Sequence, residues 1–129
     1  MRLVCGVSLA LLLAGLTHGE TARWQSDRAL WCHALTLAPE KVRPLNNCAL
    51  ALMRDGEYAA ALPLLQRAAV LVDEREPNRR ASLRMAVLSN QFVTLWAVRE
   101  TDAARVVWTR MDPDDPRTQR FSTWLDSTR

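Results

Sequence analysis

The sequence predicts an all-α protein: antiparallel helix-turn-helix repeats forming an α-solenoid of about two and a half units, closed by a C-terminal capping helix. Three observations lead there. Apolar residues recur at helical spacing, as in Leu45, Cys48, Ala49 and Leu52 at i, i+3, i+4 and i+7. Ala, Leu and Arg are abundant in a chain with only 4 glycines, and 49% hydrophobic against 24% charged residues is a globular balance, which excludes a disordered chain. Finally, Leu30, Trp31, Ala34 and Leu37 are matched 34 residues later by Leu64, Leu65, Ala68 and Leu71, a period that signals a repeat.

Taken in order, the 129 residues suit one domain behind a targeting segment. Arg2 precedes an apolar run from Leu3 to about Leu16, and Thr17-His18-Gly19 supplies small residues where a signal peptidase reads. Residues 1–19 are therefore expected to be a signal peptide or a membrane anchor. Cleavage is favoured, because the uncharged run to Gly19 spans roughly 25 Å as a helix, short of a ~30 Å hydrocarbon core. An ordinary buried first helix is the remaining alternative. Export follows from either of the first two readings, and the expected destination is the bacterial periplasm or the periplasmic face of the inner membrane.

A helix from Thr21 to Leu37 places Trp24 and Trp31 on nearly the same side, and Pro39 ends it, making a half unit over 22–39. The central unit, 42–73, has a first helix at about 44–54, with Pro44 in its first turn and Gly56 beyond its end. Its second helix carries Tyr58, Ala61, Leu62, Leu65, Ala68, Ala69 and Val72, and Pro63 should bend it without breaking it. Leu45, Asn47, Leu52, Ala61 and Leu65 recur 43 residues on as Leu88, Asn90, Leu95, Ala104 and Trp108, which defines a divergent unit over 78–111. The added length is the polar run DEREPNRRAS. Helices are expected at about 78–98 and 102–111. Asp112-Pro113-Asp114-Asp115-Pro116 ends the second, and a cap at 117–126 presents Phe121, Trp124 and Leu125.

Gly56, Tyr58, Ala61, Leu65 and Ala68 in the central unit, with Trp31, Ala34 and Pro39 in the one before, resemble the tetratricopeptide repeat family over residues 22–126. Cys48 and Ala49 depart from its Leu-Gly pair, Asp73 replaces a proline, and Arg99 stands where the turn glycine would fall. The run RWQSDRALWCHALTLAPEKVRPLNN also resembles the junction at which some polytopic bacterial membrane glycosyltransferases enter periplasmic repeats. That second resemblance implies an accessory or remnant piece of such a system, contributing no chemistry itself.

The repeat family's usual ligand surface is the concave face lined by first helices. By resemblance, Arg43, Asn46, Asn47, Leu50, Met53 and Arg54, with Asn90, Val93 and Thr94 from the third unit, would contact a protein or peptide partner. Asparagine amides can both donate to and accept from an extended peptide, and arginines favour carboxylates. Trp24 and Trp31, on a helix lacking its own partner helix, would form an interface with lipid, a partner or a second copy, unless both are core residues.

Other groups point away from chemistry. Joining Cys32 to Cys48 would close a loop of about 16 residues and contribute roughly 3 kcal/mol, but Cys48 occupies a core slot, so two reduced thiols are expected. His33 lacks partners at metal-site spacing. Asp112, Asp114 and Asp115 lack the glycine and distal glutamate of a calcium loop. Arg75, Arg79, Arg80 and Arg84 are offset by Asp73, Glu74 and Glu76 with no interleaved aromatics, so no nucleic-acid partner is expected. With no nucleophile-base-acid set, phosphate loop, cofactor motif or metal set, the expectation is a non-enzyme.

Overall fold

The computed structural model describes residues 26–75 and 81–127. Among the described residues there are six helices and no strand: α1 (Asp27–Leu37), α2 (Val42–Arg54), α3 (Tyr58–Arg75), α4 (Ala81–Ala97), α5 (Thr101–Thr109) and α6 (Pro116–Asp126). The protein is all-α, as its periodicity requires. The leader expected at 1–19, Trp24 and residues 76–80 of the polar insertion lie outside the described residues. Each helix packs on the next, and α2 also packs on α4.

Local chemistry explains the boundaries. Ser26 caps α1 by accepting the Ala29 N–H on its hydroxyl, with Asp27 in the favourable first turn. α2 begins at Val42, two residues before the expected start, so Pro44 is its third residue, where a missing N–H still leaves no intrahelical bond unmade. α3 runs unbroken through Pro63, the sixth of its 18 residues. Asp115 caps α6 by accepting the Arg117 N–H at 2.8 Å, and Pro116 occupies the first helical position.

The two turns between paired helices are the same device used twice. After α2, the Glu57 N–H bonds the Leu52 carbonyl at 2.9 Å and the Gly56 N–H bonds that of Met53 at 3.0 Å, a Schellman ending with Gly56 at φ 81°. After α4, the Glu100 N–H bonds the Leu95 carbonyl at 2.9 Å and the Arg99 N–H bonds that of Trp96 at 3.2 Å, with Arg99 at φ 68°. The next helices start alike, Ala61 N–H on the Glu57 carbonyl and Ala104 N–H on the Glu100 carbonyl. The departure noted at Arg99 is therefore one of residue type and not of backbone.

Three adjoining apolar clusters make the core. Cys48, Ala49, Leu52, Ala61 and Leu65 join α2 to α3, with Trp31 and Leu35 of α1 laid against them. Val42, Leu45, Ala68, Val72 and Val87 link α2 and α3 to α4. Met85, Leu88, Phe92, Leu95, Ala104 and Val107 tie α4 to α5, and Phe121 and Leu125 bring in α6. Fully buried Ala61, Ala68 and Ala104 let backbones approach where larger side chains would hold them apart. Phe92 stacks on Phe121 with centroids 4.4 Å apart, and Trp108 Nε1 donates to the Thr118 carbonyl at 3.1 Å, so α6 is held against both α4 and α5.

The expectation of two reduced thiols is corrected. Cys32 of α1 and Cys48 of α2 are joined in a disulfide across Cα atoms 4.8 Å apart. Cys48 does fill a core position; the same helix contact that buries it brings Cys32 over it.

Candidate functional site

The residues expected on a ligand face share one stripe of α2 and one of α4. Arg43, Asn46, Leu50 and Met53 follow one another at helical spacing along α2, and Asn90 and Val93 do so on α4. A hydrogen bond holds the stripes side by side: Asn90 Nδ2 donates to Asn46 Oδ1 at 3.0 Å, and Asn46 Nδ2 donates in turn to Asn47 Oδ1 at 3.3 Å. The three asparagines form a chain that spans the two helices.

Burial divides the set. Arg43 is exposed and forms no ion pair among the described residues. Leu50, Met53, Val93 and Asn47 are half-buried, and Asn90 also keeps partial access. Asn46 is only 5% exposed and Thr94 0%, so both lie beneath the surface that the others share. α2 and α4 approach closely enough to enclose them. Arg54 is exposed but committed to Asp27 of α1 at 2.6 Å. Trp31 packs against the Cys48 cluster and is half-covered there.

Sequence reasoning missed a polar seam on the inner side of α4. Ser89 and Gln91 are buried with Thr94. Ser89 donates back to the Met85 carbonyl at 2.6 Å, whereas Gln91 Oε1 and Thr94 Oγ1 have no hydrogen-bond partner among the described residues. Val87, Gln91 and Thr94 fall at i, i+4 and i+7 and so on one side of the helix. Only the polar residues interrupting that apolar side could have signalled the seam.

Ion pairs frame the two ends of the face. Arg28 of α1 bonds both Asp55 and Glu57 at the first turn. With Ser26, Asp27, Ala51 and Arg54, Arg28 and Asp55 line a shallow cavity of about 230 Å³. A second, of about 330 Å³, lies beside the second turn among Trp96, Ala97, Arg99 and Thr101. At the opposite ends of the helices, Asp73 accepts from Arg84 Nε at 2.8 Å and from Arg110. Partial burial opposes ionisation of Asp73, yet the two arginine hydrogen bonds and their charges together outweigh it and hold the carboxyl below its ordinary value.

Among the described residues, no group of three or more His, Cys, Asp or Glu side chains is placed to hold a metal ion, and no helix is long and apolar enough to cross a membrane. Asp112 and Asp114 are used in a turn, with the Asp114 N–H on Asp112 Oδ1 at 3.0 Å. Comparison with protein-family models, curated proteins and solved structures returns no match.

Proposed function

We propose that the chain is a non-catalytic adaptor of the tetratricopeptide type that receives a segment of a protein partner along the α2–α4 face. One observation carries the reading. Two hairpins with the same Schellman turn and helix start, 43 residues apart, set their first helices side by side through the Asn46–Asn90 bond. Stacked helical pairs build extended recognition surfaces from first helices set side by side, and this neighbouring of α2 and α4 supports the reading. The face presents half-buried Leu50, Met53 and Val93 for apolar contact, Asn47 and Asn90 for backbone hydrogen bonds, and Arg43, exposed and without an ion pair among the described residues, for an acidic group.

The location we propose is outside the cytosol, in a bacterial envelope. Support comes from the apolar run at 3–16 and from the Cys32–Cys48 disulfide, because such bonds persist in oxidising compartments.

The test is photo-crosslinking from position 53, in cells, of the otherwise native chain and of the chain that also carries Arg43→Glu and Leu50→Glu. Arg43 is exposed and Leu50 keeps partial access to solvent, so the variant should fold. Adducts formed by the native chain and lost in the variant are expected. The same adducts from both would remove the face as the binding surface.

A further inference from the structure

α1 is attached differently from every other helix. None of its 11 residues is buried, and its inward side chains Trp31, Cys32 and Leu35 are half-covered. Leu37, at its end, is 75% exposed. Its polar ties, Arg28 to Asp55 and Glu57 and Asp27 to Arg54, join exposed side chains in water, where such pairs hold weakly. A helix of this length is also not stable by itself. By contrast, α2 and α3 are locked to each other and to α4 through Val42, Leu45, Ala68, Val72 and Val87. Among the described residues, the one covalent cross-link from α1 to the rest is the Cys32–Cys48 bond.

We propose that this disulfide is a redox latch: its two-electron reduction by a dithiol releases α1 while α2 to α6 stay folded, and uncovers the apolar ground beneath Trp31. Cys48 is 3% exposed, so the attacking thiolate meets Cys32 Sγ first. A bond forms from the reductant's sulfur to Cys32, the Cys32–Cys48 bond breaks, and its electron pair leaves on Cys48 Sγ, which takes up a proton. The second thiolate then attacks the reductant's sulfur in the mixed disulfide. Cys32 leaves as a thiolate and is protonated, and the dithiol ends as a disulfide. Two electrons and two protons pass to the protein. Loss of the tether removes the restraint that a 16-residue loop provides, enough to raise the opening of α1 by roughly 100-fold. The latch does not depend on the partner-binding reading: it concerns the α1 side of the first hairpin, whatever binds the α2–α4 face.

The experiment is amide hydrogen exchange of the full chain, oxidised and after dithiothreitol, with two additional alkylated thiols verifying reduction. Exchange over residues 30–37 should quicken about 100-fold while residues 85–95 of α4 change less than threefold, and reoxidation should restore both. Protection of α1 that survives complete reduction would overturn the latch, as would equal loss in α1 and α4. The Cys32→Ser variant, measured without reductant, should reproduce the reduced pattern; retained α1 protection there would count against the proposal in the same way.

Discussion

At Arg99 the chain adopts the left-handed conformation, φ 68°, that Gly56 adopts at φ 81° in the equivalent turn. A side chain in that region costs about 1 kcal/mol through contact of Cβ with the backbone. Arg99→Gly should therefore raise stability by about 0.5–1 kcal/mol, the relieved contact outweighing the extra freedom of the unfolded chain. Gly56→Ala should lower it by about 1–2 kcal/mol, an effect of backbone alone, because a Cβ there meets nothing within 4 Å. Urea midpoints of both variants check the pair, and an unchanged or lowered midpoint for Arg99→Gly would show the turn to be unstrained. Thr94→Val keeps the shape of the side chain and removes a buried, unpartnered hydroxyl, so stability should rise by about 1 kcal/mol. Partner capture through the α2–α4 face should persist in that variant, since Thr94 does not reach the surface. Neither residue announced this in the sequence. Arginine is no turn signal, and only the 43-residue register placed Arg99 beneath Gly56. Whether Thr94 lies on a groove or under it depends on how near α2 comes to α4, which helical spacing does not encode.

Among elements, Asp73 at the end of α3 has the widest reach, since it ties the start of α4 through Arg84 and the end of α5 through Arg110. Arg84 adds a second tie, donating to the Arg110 carbonyl at 2.9 Å. Asp115 at the start of α6 is similar: hydrogen bonds from the Arg117 side chain and backbone lower its carboxyl to about 2. A carboxyl depressed in the folded state contributes stability that is complete above its unfolded value of about 4 and disappears as pH falls through the folded one. Stability should thus decline from about pH 4 down to about pH 2, and Asp73→Asn should flatten part of that decline while costing at most about 1 kcal/mol at pH 7. Urea midpoints at pH 7, 4, 3 and 2 read it; an Asp73→Asn curve parallel to that of the native chain would show that the two arginines do not hold the charge. The helices themselves were legible, because period and punctuation act within a few residues of chain. The disulfide was not: pairing Cys32 with Cys48 needs the angle at which α1 crosses α2, and a core position reads equally well as a free thiol.

For the whole molecule, the distribution of the core sets how it unfolds. The three clusters share members and borders: Leu35 and Leu64 touch both of the first two, Val87 carries α4 into the α2–α3 cluster, and Leu62 of α3 packs against the one beyond it. Apolar burial is continuous from α2 to α6, so losing one layer strips cover from the next, and nearest-neighbour coupling of this kind makes a short stack unfold as a unit. Phe121→Ala tests this from the far end. It removes a side chain stacked on Phe92 and 5.5 Å from the Trp124 ring, and by its burial should cost about 3–5 kcal/mol. In an oxidised chain, the loss should move the whole transition of α2 to α6, so that helix content by circular dichroism and tryptophan emission change at one lowered midpoint. The exchange protection of Leu65 and Val72 in α3, which lie outside the Phe121 cluster, should fall with that of Leu88 in α4. Two separated transitions, or α3 amides that keep their native protection, would mean that the hairpins fold independently and that the shared residues couple them too weakly to matter.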